Sequence, residues 1–239
     1  MKYSINRSSN SIRIRKLVTL SILATIVVVL QLLGNFIEGF MNNLALGIIP
    51  IAIGAILYGP KAGAFLGAVM SAVILTNPSN YLLMQTPWDI VKLILIIIIK
   101  TPLAGFICGV VYKLLSKHAY NLENKAKRSA AIIFAIAFSS IFVTVINTLT
   151  YFLLMLLFFS EGSIFVGAGA QGFTLSKINL ELGYTNTVVM LLLGFIGLNF
   201  FIELGIIFLA TPAIISIVKI ATRQYDLGFV NDFSALKEG

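Results

Sequence analysis

Long, nearly uncharged apolar stretches dominate the pattern of this chain. Residues 17–36 carry no charged side chain, and 20 residues at about 1.5 Å rise each cross the roughly 30 Å hydrocarbon core of a bilayer. The stretches at 89–115, 130–159 and 187–220 are longer still. The pattern therefore predicts four full-length membrane helices.

Two shorter apolar stretches lie between the first and second of these helices. They cover 44–57 and 62–76, and Tyr58-Gly59-Pro60-Lys61 joins them. Proline has no backbone N–H and keeps the preceding residue out of the helical conformation. We therefore expect two short helices in a hairpin, which brings the total to six transmembrane helices in an all-α fold.

Six helices divide the chain into a basic tail at 1–16, a membrane domain at 17–220 and a second tail at 221–239. All but three of the 17 Lys and Arg residues fall in the tails, or in loops and helix ends on the same side of the membrane as the N-terminus. Short cytoplasmic loops retain Lys and Arg. This distribution predicts a multi-pass protein with both termini in the cytoplasm.

Composition agrees with a lipid-embedded chain. Hydrophobic residues make up 59% and charged residues 11%, whereas soluble proteins carry about 25% charged residues. Mean hydropathy is +1.00. The net charge of +8 is then a mark of the cytoplasmic side, and we expect no nucleic-acid partner. The single cysteine, Cys108, cannot form an internal disulfide.

Catalytic and nucleotide-binding signatures are missing from the sequence. Gly167-Ala-Gly-Ala-Gln-Gly172 matches G-x-G-x-x-G, but no predicted strand precedes it and no acidic residue follows at the ribose distance. No G-x-x-x-x-G-K-[ST] occurs, and His118 is the only histidine. We expect no cofactor, no bound metal and no enzymatic activity, and any ATPase must be a separate protein.

Polar side chains inside the predicted helices are the first candidate site, because such groups are costly in lipid. Lys100, Asn147, Asn199 and Glu203 lie about 16–24 Å from the outer ends of their helices, by 1.5 Å per residue. Two interpretations stay open and are compatible. In the first, Lys100 and Glu203 form a structural ion pair, and the asparagines form hydrogen bonds between helices. In the second, the four residues form the bottom of a cavity that binds an anionic or polar ligand.

A second candidate cluster lies at the outer ends of the helices. Most of its members are amide or aromatic residues, and three are charged: Asn35, Glu38, Asn42, Asn43, Asn77, Asn80, Tyr81, Gln85, Trp88, Asp89 and Lys92. Rings stack and amides both donate and accept hydrogen bonds, so the set suits a heteroaromatic or amide-bearing small molecule. The alternative is that these residues cap helices and anchor the membrane interface.

Small residues at four-residue spacing predict close helix contacts. The glycines of Gly59-x-x-x-Gly63-x-x-x-Gly67 and Gly105-x-x-x-Gly109 are expected to pack helices within the chain. Ser21 and Thr25 place two small side chains on one face of the first helix. That face could contact either this chain or another protein.

The chain resembles the substrate-binding S components of energy-coupling factor (ECF) vitamin transporters. The stretches that carry the resemblance are Arg15-Lys16-Leu-Val-Thr-Leu-Ser-Ile-Leu-Ala, Ile49-Pro-Ile-Ala-Ile-Gly-Ala-Ile-Leu-Tyr-Gly-Pro-Lys-Ala-Gly-Ala-Phe-Leu-Gly67, Lys100-Thr-Pro-Leu-Ala-Gly105, Val111-Tyr-Lys-Leu-Leu115, Asn147-Thr148 and Asn199-Phe-Phe-Ile-Glu203.

The resemblance implies a six-helix subunit in a bacterial cell membrane that captures a vitamin-class micronutrient from outside. It also implies partners: a transmembrane coupling protein, which Ser21 and Thr25 would face in place of the family's two alanines, and two cytoplasmic ATPases. The chain looks nearest to the group of pantothenate and riboflavin carriers, without pointing to one vitamin. The alternative from the residues alone is a self-sufficient secondary transporter or channel that uses the Lys100 and Glu203 layer.

Overall fold

The computed structural model describes residues 9–36, 44–81, 86–159, 165–166, 173–174 and 197–224. Its helices in chain order are α1 (Ser9–Phe36), α2 (Ile48–Tyr58), α3 (Pro60–Leu75), α4 (Pro87–Tyr120), α5 (Lys125–Phe159) and α6 (Gly197–Gln224). A 3₁₀ turn at Pro78–Asn80 and the antiparallel two-residue strands β1 (Phe165–Val166) and β2 (Phe173–Thr174) complete the described elements.

The predicted all-α architecture is confirmed in the described part of the chain. Four of its helices, α1, α4, α5 and α6, are long and apolar enough to cross a membrane. The helices α2 and α3 have 11 and 16 residues, about 16 and 24 Å at 1.5 Å per residue. Residues 187–196 of the last predicted helix lie outside the described residues.

The turn between α2 and α3 depends on glycine followed by proline. Gly59 adopts φ 85°, a backbone conformation that is costly for residues with a Cβ. Its N–H donates to the carbonyl of Ala55 at 2.9 Å, which ends α2. Pro60 then occupies the first turn of α3, where a missing N–H costs nothing. The chain reverses here with a single linking residue.

Glycines bring α3 and α4 into backbone contact. A Cβ on Gly63 would collide with the carbonyl of Gly105, and a Cβ on Gly105 would collide with the carbonyl of Gly63. Gly67 likewise faces the backbone of Thr101, and Gly109 faces that of Pro60. The predicted packing of the glycine motifs within the chain is confirmed, and the order of the pairs shows that α3 and α4 run antiparallel.

Hydroxyl groups continue this α3–α4 seam. Ser71 donates to the carbonyl of Ile97 at 2.7 Å and is also in contact with the hydroxyl of Thr101, which donates to the carbonyl of Gly67 at 2.9 Å. Pro102 lies inside α4 and removes one backbone donor. A membrane interior has no water that could donate hydrogen bonds to backbone carbonyls, so serine and threonine side chains donate to them instead.

The short helix α2 forms the centre of the bundle. It packs against each of the other five helices, and Ile51, Ala52 and Ile56 are buried. By contrast, Ile22 of α1 and Leu209 of α6 are 54% and 79% exposed. Apolar side chains on the outside of a bundle require lipid as their solvent.

Candidate functional site

The lysine, glutamate and amide side chains in the described interior lie in one half of the bundle, which we call the site half. It is the half in which α1 ends, α2 begins, and α4 and α6 begin. Lys100 lies in the fourth turn of α4 and Glu203 in the second turn of α6. Asn147 lies on α5. Antiparallel packing of successive helices therefore gathers residues that are far apart in sequence.

Glu203 is bonded to the backbone just before α2. Its Oε1 accepts a hydrogen bond from the N–H of Ala45 at 3.1 Å. Ala45 precedes the first residue of α2 by three positions. A carboxylate that accepts from a backbone N–H makes a charge-assisted bond, which is stronger than a neutral one. This bond links α6 directly to the segment that enters the central helix.

Lys100 is placed over an aromatic ring. Its Nζ lies 4.6 Å from the centroid of the Tyr151 ring on α5, within the range of a cation–π interaction. Within the described ranges, Lys100 and Glu203 do not form an ion pair closer than 4.0 Å, whereas Lys92 and Asp89 do. Lys100 and Glu203 are thus two separated charges, each with its own neighbour.

In the same half, α5 presents two buried polar groups that lack a hydrogen-bond partner among the described residues. Asn147 is 5% exposed and Thr144 is 0% exposed, and neither Asn147 Oδ1 nor Thr144 Oγ1 is bonded. Thr144, Asn147 and Tyr151 are spaced so that they share one face of the helix. An unsatisfied buried polar group costs about 1–3 kcal/mol, so this face favours a partner that supplies the missing bonds.

A shallow recess opens beside this face. Thr144 and Glu203 supply its polar lining, and the remaining walls are apolar or backbone: Ala45, Leu46, Ile48, Ile49, Ile206 and Ile207. Small-molecule sites are lined mostly by apolar side chains with a few placed polar groups. The described walls have that composition.

Gln31 joins the site half and was missed at the sequence level. Its side chain is fully buried on α1, donates from Nε2 to Asn35 Oδ1 at 3.0 Å, and reaches the carbonyl of Leu44 at 3.5 Å. Its Oε1 has no partner among the described residues. The available signal was an amide inside an otherwise apolar helix, four residues before Asn35.

A family model described as the substrate-specific component of ECF transporters matches residues 15–215. The chain belongs to this family. The predicted resemblance is confirmed, and the protein is a membrane-embedded, substrate-specific transport subunit rather than an enzyme. No curated protein and no solved structure matches the chain.

Asn80 and Tyr81, two predicted ligand residues of this S component, form hydrogen bonds with the last turn of α3. Asn80 Nδ2 donates to the carbonyl of Ile74 at 2.8 Å, and the hydroxyl of Tyr81 donates to that of Leu75 at 2.8 Å. Partial burial raises the pKa of the Tyr81 hydroxyl. These bonds satisfy carbonyls that the helix end leaves free.

Two further candidates of the S component, Trp88 and Lys92, belong to the first turns of α4. Thr86 and Asp89 form a capping box there, and Lys92 Nζ lies 3.6 Å from Asp89 Oδ1. The Trp88 side chain is 73% exposed. Neither Trp88 nor Lys92 lines the recess, so the structure separates this pair from the Glu203 and Thr144 group.

The remaining predicted residues lie on α6 and α1. Asn199 is four residues before Glu203 in the first turn of α6, and its side chain lies outside the described part of the structure. Ser21 and Thr25 are exposed on α1, and each hydroxyl donates to the carbonyl four residues earlier at 3.0 Å. Because both hydroxyls are bonded within the helix, the exposed strip of α1 around Ser21 and Thr25 is a small and effectively apolar surface of the S component.

Proposed function

We propose that this S component captures a vitamin-class micronutrient from outside the cell at the site half and hands it to an ECF-type ABC importer. The observation that carries the proposal is the group of Lys100, Asn147, Thr144 and Glu203. It combines two separated interior charges with buried polar atoms that lack partners. Such groups are expensive in a membrane protein and mark substrate sites.

The distribution of charge supports an outward-facing site. Apart from Lys92 near the start of α4 and the interior Lys100, the cations of the described helices lie at the opposite end of the bundle from the site: Arg13, Arg15, Lys16, Lys61, Lys113, Lys117, Lys125, Lys127, Arg128, Lys219 and Arg223. Lys and Arg mark the cytoplasmic side. We infer six membrane-embedded helices, cytoplasmic termini and a ligand that enters from the external side of a bacterial membrane.

The partners follow from the family and from α1. Association with the ECF module is a property of the family, and the chain has no ATP-binding motif of its own. We infer a transmembrane coupling protein that contacts the exposed strip around Ser21 and Thr25, and two cytoplasmic ATPases. Large apolar residues flank the strip, among them Leu17, Ile22 and Ile26.

Two measurements test the proposal. The first is mass spectrometry of small molecules retained by the purified protein, followed by thermal shifts against a panel of water-soluble vitamins. The second is uptake of the identified compound by proteoliposomes that contain this chain with its coupling protein and ATPases. We expect retention, a stabilising shift and uptake that needs ATP. No shift from any vitamin by a folded protein would count against the proposal.

A second candidate is a self-sufficient secondary transporter, favoured by the two interior charges at Lys100 and Glu203. It predicts uptake by this chain alone, driven by a proton or sodium gradient and insensitive to ATP. The importer predicts the opposite dependence. Glu203→Gln separates them further, because a proton relay through Glu203 would lose its response to the proton gradient.

A further inference from the structure

The site half holds its positive and negative groups at different depths along α5. Lys100 lies at the level of Tyr151, whereas Glu203 lines the recess together with Thr144. Tyr151 and Thr144 are seven residues apart on one helix, a separation of about 10 Å at 1.5 Å per residue. Asn147 lies between them on the same face. The site therefore has a cationic end and an acceptor end.

Each end calls for a different ligand group. A lysine ammonium has three donors and no acceptor, and Lys100 Nζ lies over the π face of the Tyr151 ring. At the other end, the Asn147 Oδ1 atom can only accept, and the carboxylate of Glu203 accepts as well. An anionic group suits the Lys100 end, and hydroxyl, amide or amine donors suit the Thr144 end.

Charge balance selects among anions. The formal charges of Lys100 and Glu203 sum to zero. A monocarboxylate would therefore give the site a net charge of about −1, and a phosphate group would give it about −1.5 to −2. Excess negative charge beside Glu203 is unfavourable where little water screens it. A carboxylate is therefore the better match to a single lysine.

We propose that the ligand is a small monocarboxylic acid. Its carboxylate binds Lys100, and its hydrogen-bond donors face Asn147, Thr144 and Glu203. This inference rests on the proposed function, because it names the substrate class of the same site. It excludes neutral and cationic vitamins as the preferred ligands.

The experiment uses four acids, each with a neutral analogue of the same shape: nicotinate and nicotinamide, biotin and biotinamide, pantothenate and pantothenol, lipoate and lipoamide. Riboflavin and thiamine represent neutral and cationic vitamins. Affinities are measured by titration calorimetry on the full chain in detergent. We expect one acid to bind at least about tenfold more tightly than its neutral analogue, which is about 1.4 kcal/mol.

Substitutions at Lys100 and Thr144 test which end of the site causes the preference for the acid over its neutral analogue. Lys100→Met removes the charge at similar length and should abolish the acid preference while leaving the neutral analogue's affinity within about twofold. Lys100→Arg should retain the preference, and it also covers the case in which Lys100→Met fails to fold. Thr144→Val should weaken acid and analogue by the same factor. Lys117→Met, at the opposite end of α4, is the matched control and should bind like the unmodified protein.

The outcomes separate this inference from the proposed function. Tight binding of riboflavin or thiamine, or equal binding of acid and analogue, overturns the monocarboxylate assignment and leaves the transport role standing. An acid preference that persists in folded Lys100→Met also overturns it. No binding of any compound, together with no ATP-dependent uptake by the assembled complex, overturns both.

Discussion

Glu203 and Ala45 lie 158 positions apart in sequence, yet Glu203 Oε1 accepts a hydrogen bond from the Ala45 N–H at 3.1 Å. The bond ties the second turn of α6 to the residues that lead into α2. It also places a carboxylate in the wall of the recess beside Thr144. One residue therefore both anchors the segment that leads into the central helix and lines the recess.

Glu203→Ala should destabilise the protein, because the Ala45 N–H loses its acceptor inside the bundle. We expect a loss of about 1–3 kcal/mol. Glu203→Gln keeps a carbonyl oxygen and should retain most of the stability. Chemical or thermal unfolding in one detergent compares the two variants. Equal stability of Glu203→Ala and the unmodified chain would contradict the structural role of this bond.

Gly63→Ala should weaken the α3–α4 contact, because its Cβ would collide with the carbonyl of Gly105. Overpacking of this kind costs about 1–3 kcal/mol. Gly205→Ala in α6 is the matched control, since nothing lies within 4 Å of its Cβ. The control should be neutral or slightly stabilising, because alanine has the higher helix propensity. Melting temperatures of the two purified variants provide the measurement, and indistinguishable values would refute the close approach.

Ser71→Ala should remove the only side-chain donor that the structure shows for the Ile97 carbonyl in the described seam. Hydrogen bonds between membrane helices contribute about 0.6 kcal/mol on average, so a loss of about 0.5–1.5 kcal/mol is expected. Ser216→Ala is the control, because that hydroxyl bonds only within its own helix, to Pro212. If the unfolding free energies of Ser71→Ala and Ser216→Ala differ by less than about 0.2 kcal/mol, on the order of measurement error, the Ser71 bond does not stabilise the α3–α4 contact.

The double substitution of Ser21 and Thr25 by leucine should spare ligand binding but reduce uptake by the assembled complex at least about tenfold. The reason is steric, because both side chains are small and exposed on α1 and bulky replacements would hold the coupling protein away.

Ser216→Leu, exposed on α6, is the matched control for this substitution and should leave uptake intact. Titration of the ligand and transport in proteoliposomes are measured on the same preparations. Parallel loss of binding and uptake would place the coupling interface on another face.

The sequence by itself determined the class, the family and much of the local structure. Hydropathy determines where helices lie in a bilayer, because about 20 apolar residues match its thickness. The Gly59-Pro60 turn was also readable from the sequence, since it follows from backbone sterics. The glycine motifs predicted a close helix contact for the same reason, as small residues let backbones approach.

Tertiary structure alone decided which polar groups meet. Lys100 faces the Tyr151 ring and Glu203 bonds the Ala45 amide, although the sequence equally allowed these two charges to pair with each other. Gln31 and Thr144 became candidate site residues only through their burial. The physical reason is that hydropathy sets the length of a membrane helix, whereas its rotation depends on packing against neighbours from distant parts of the chain.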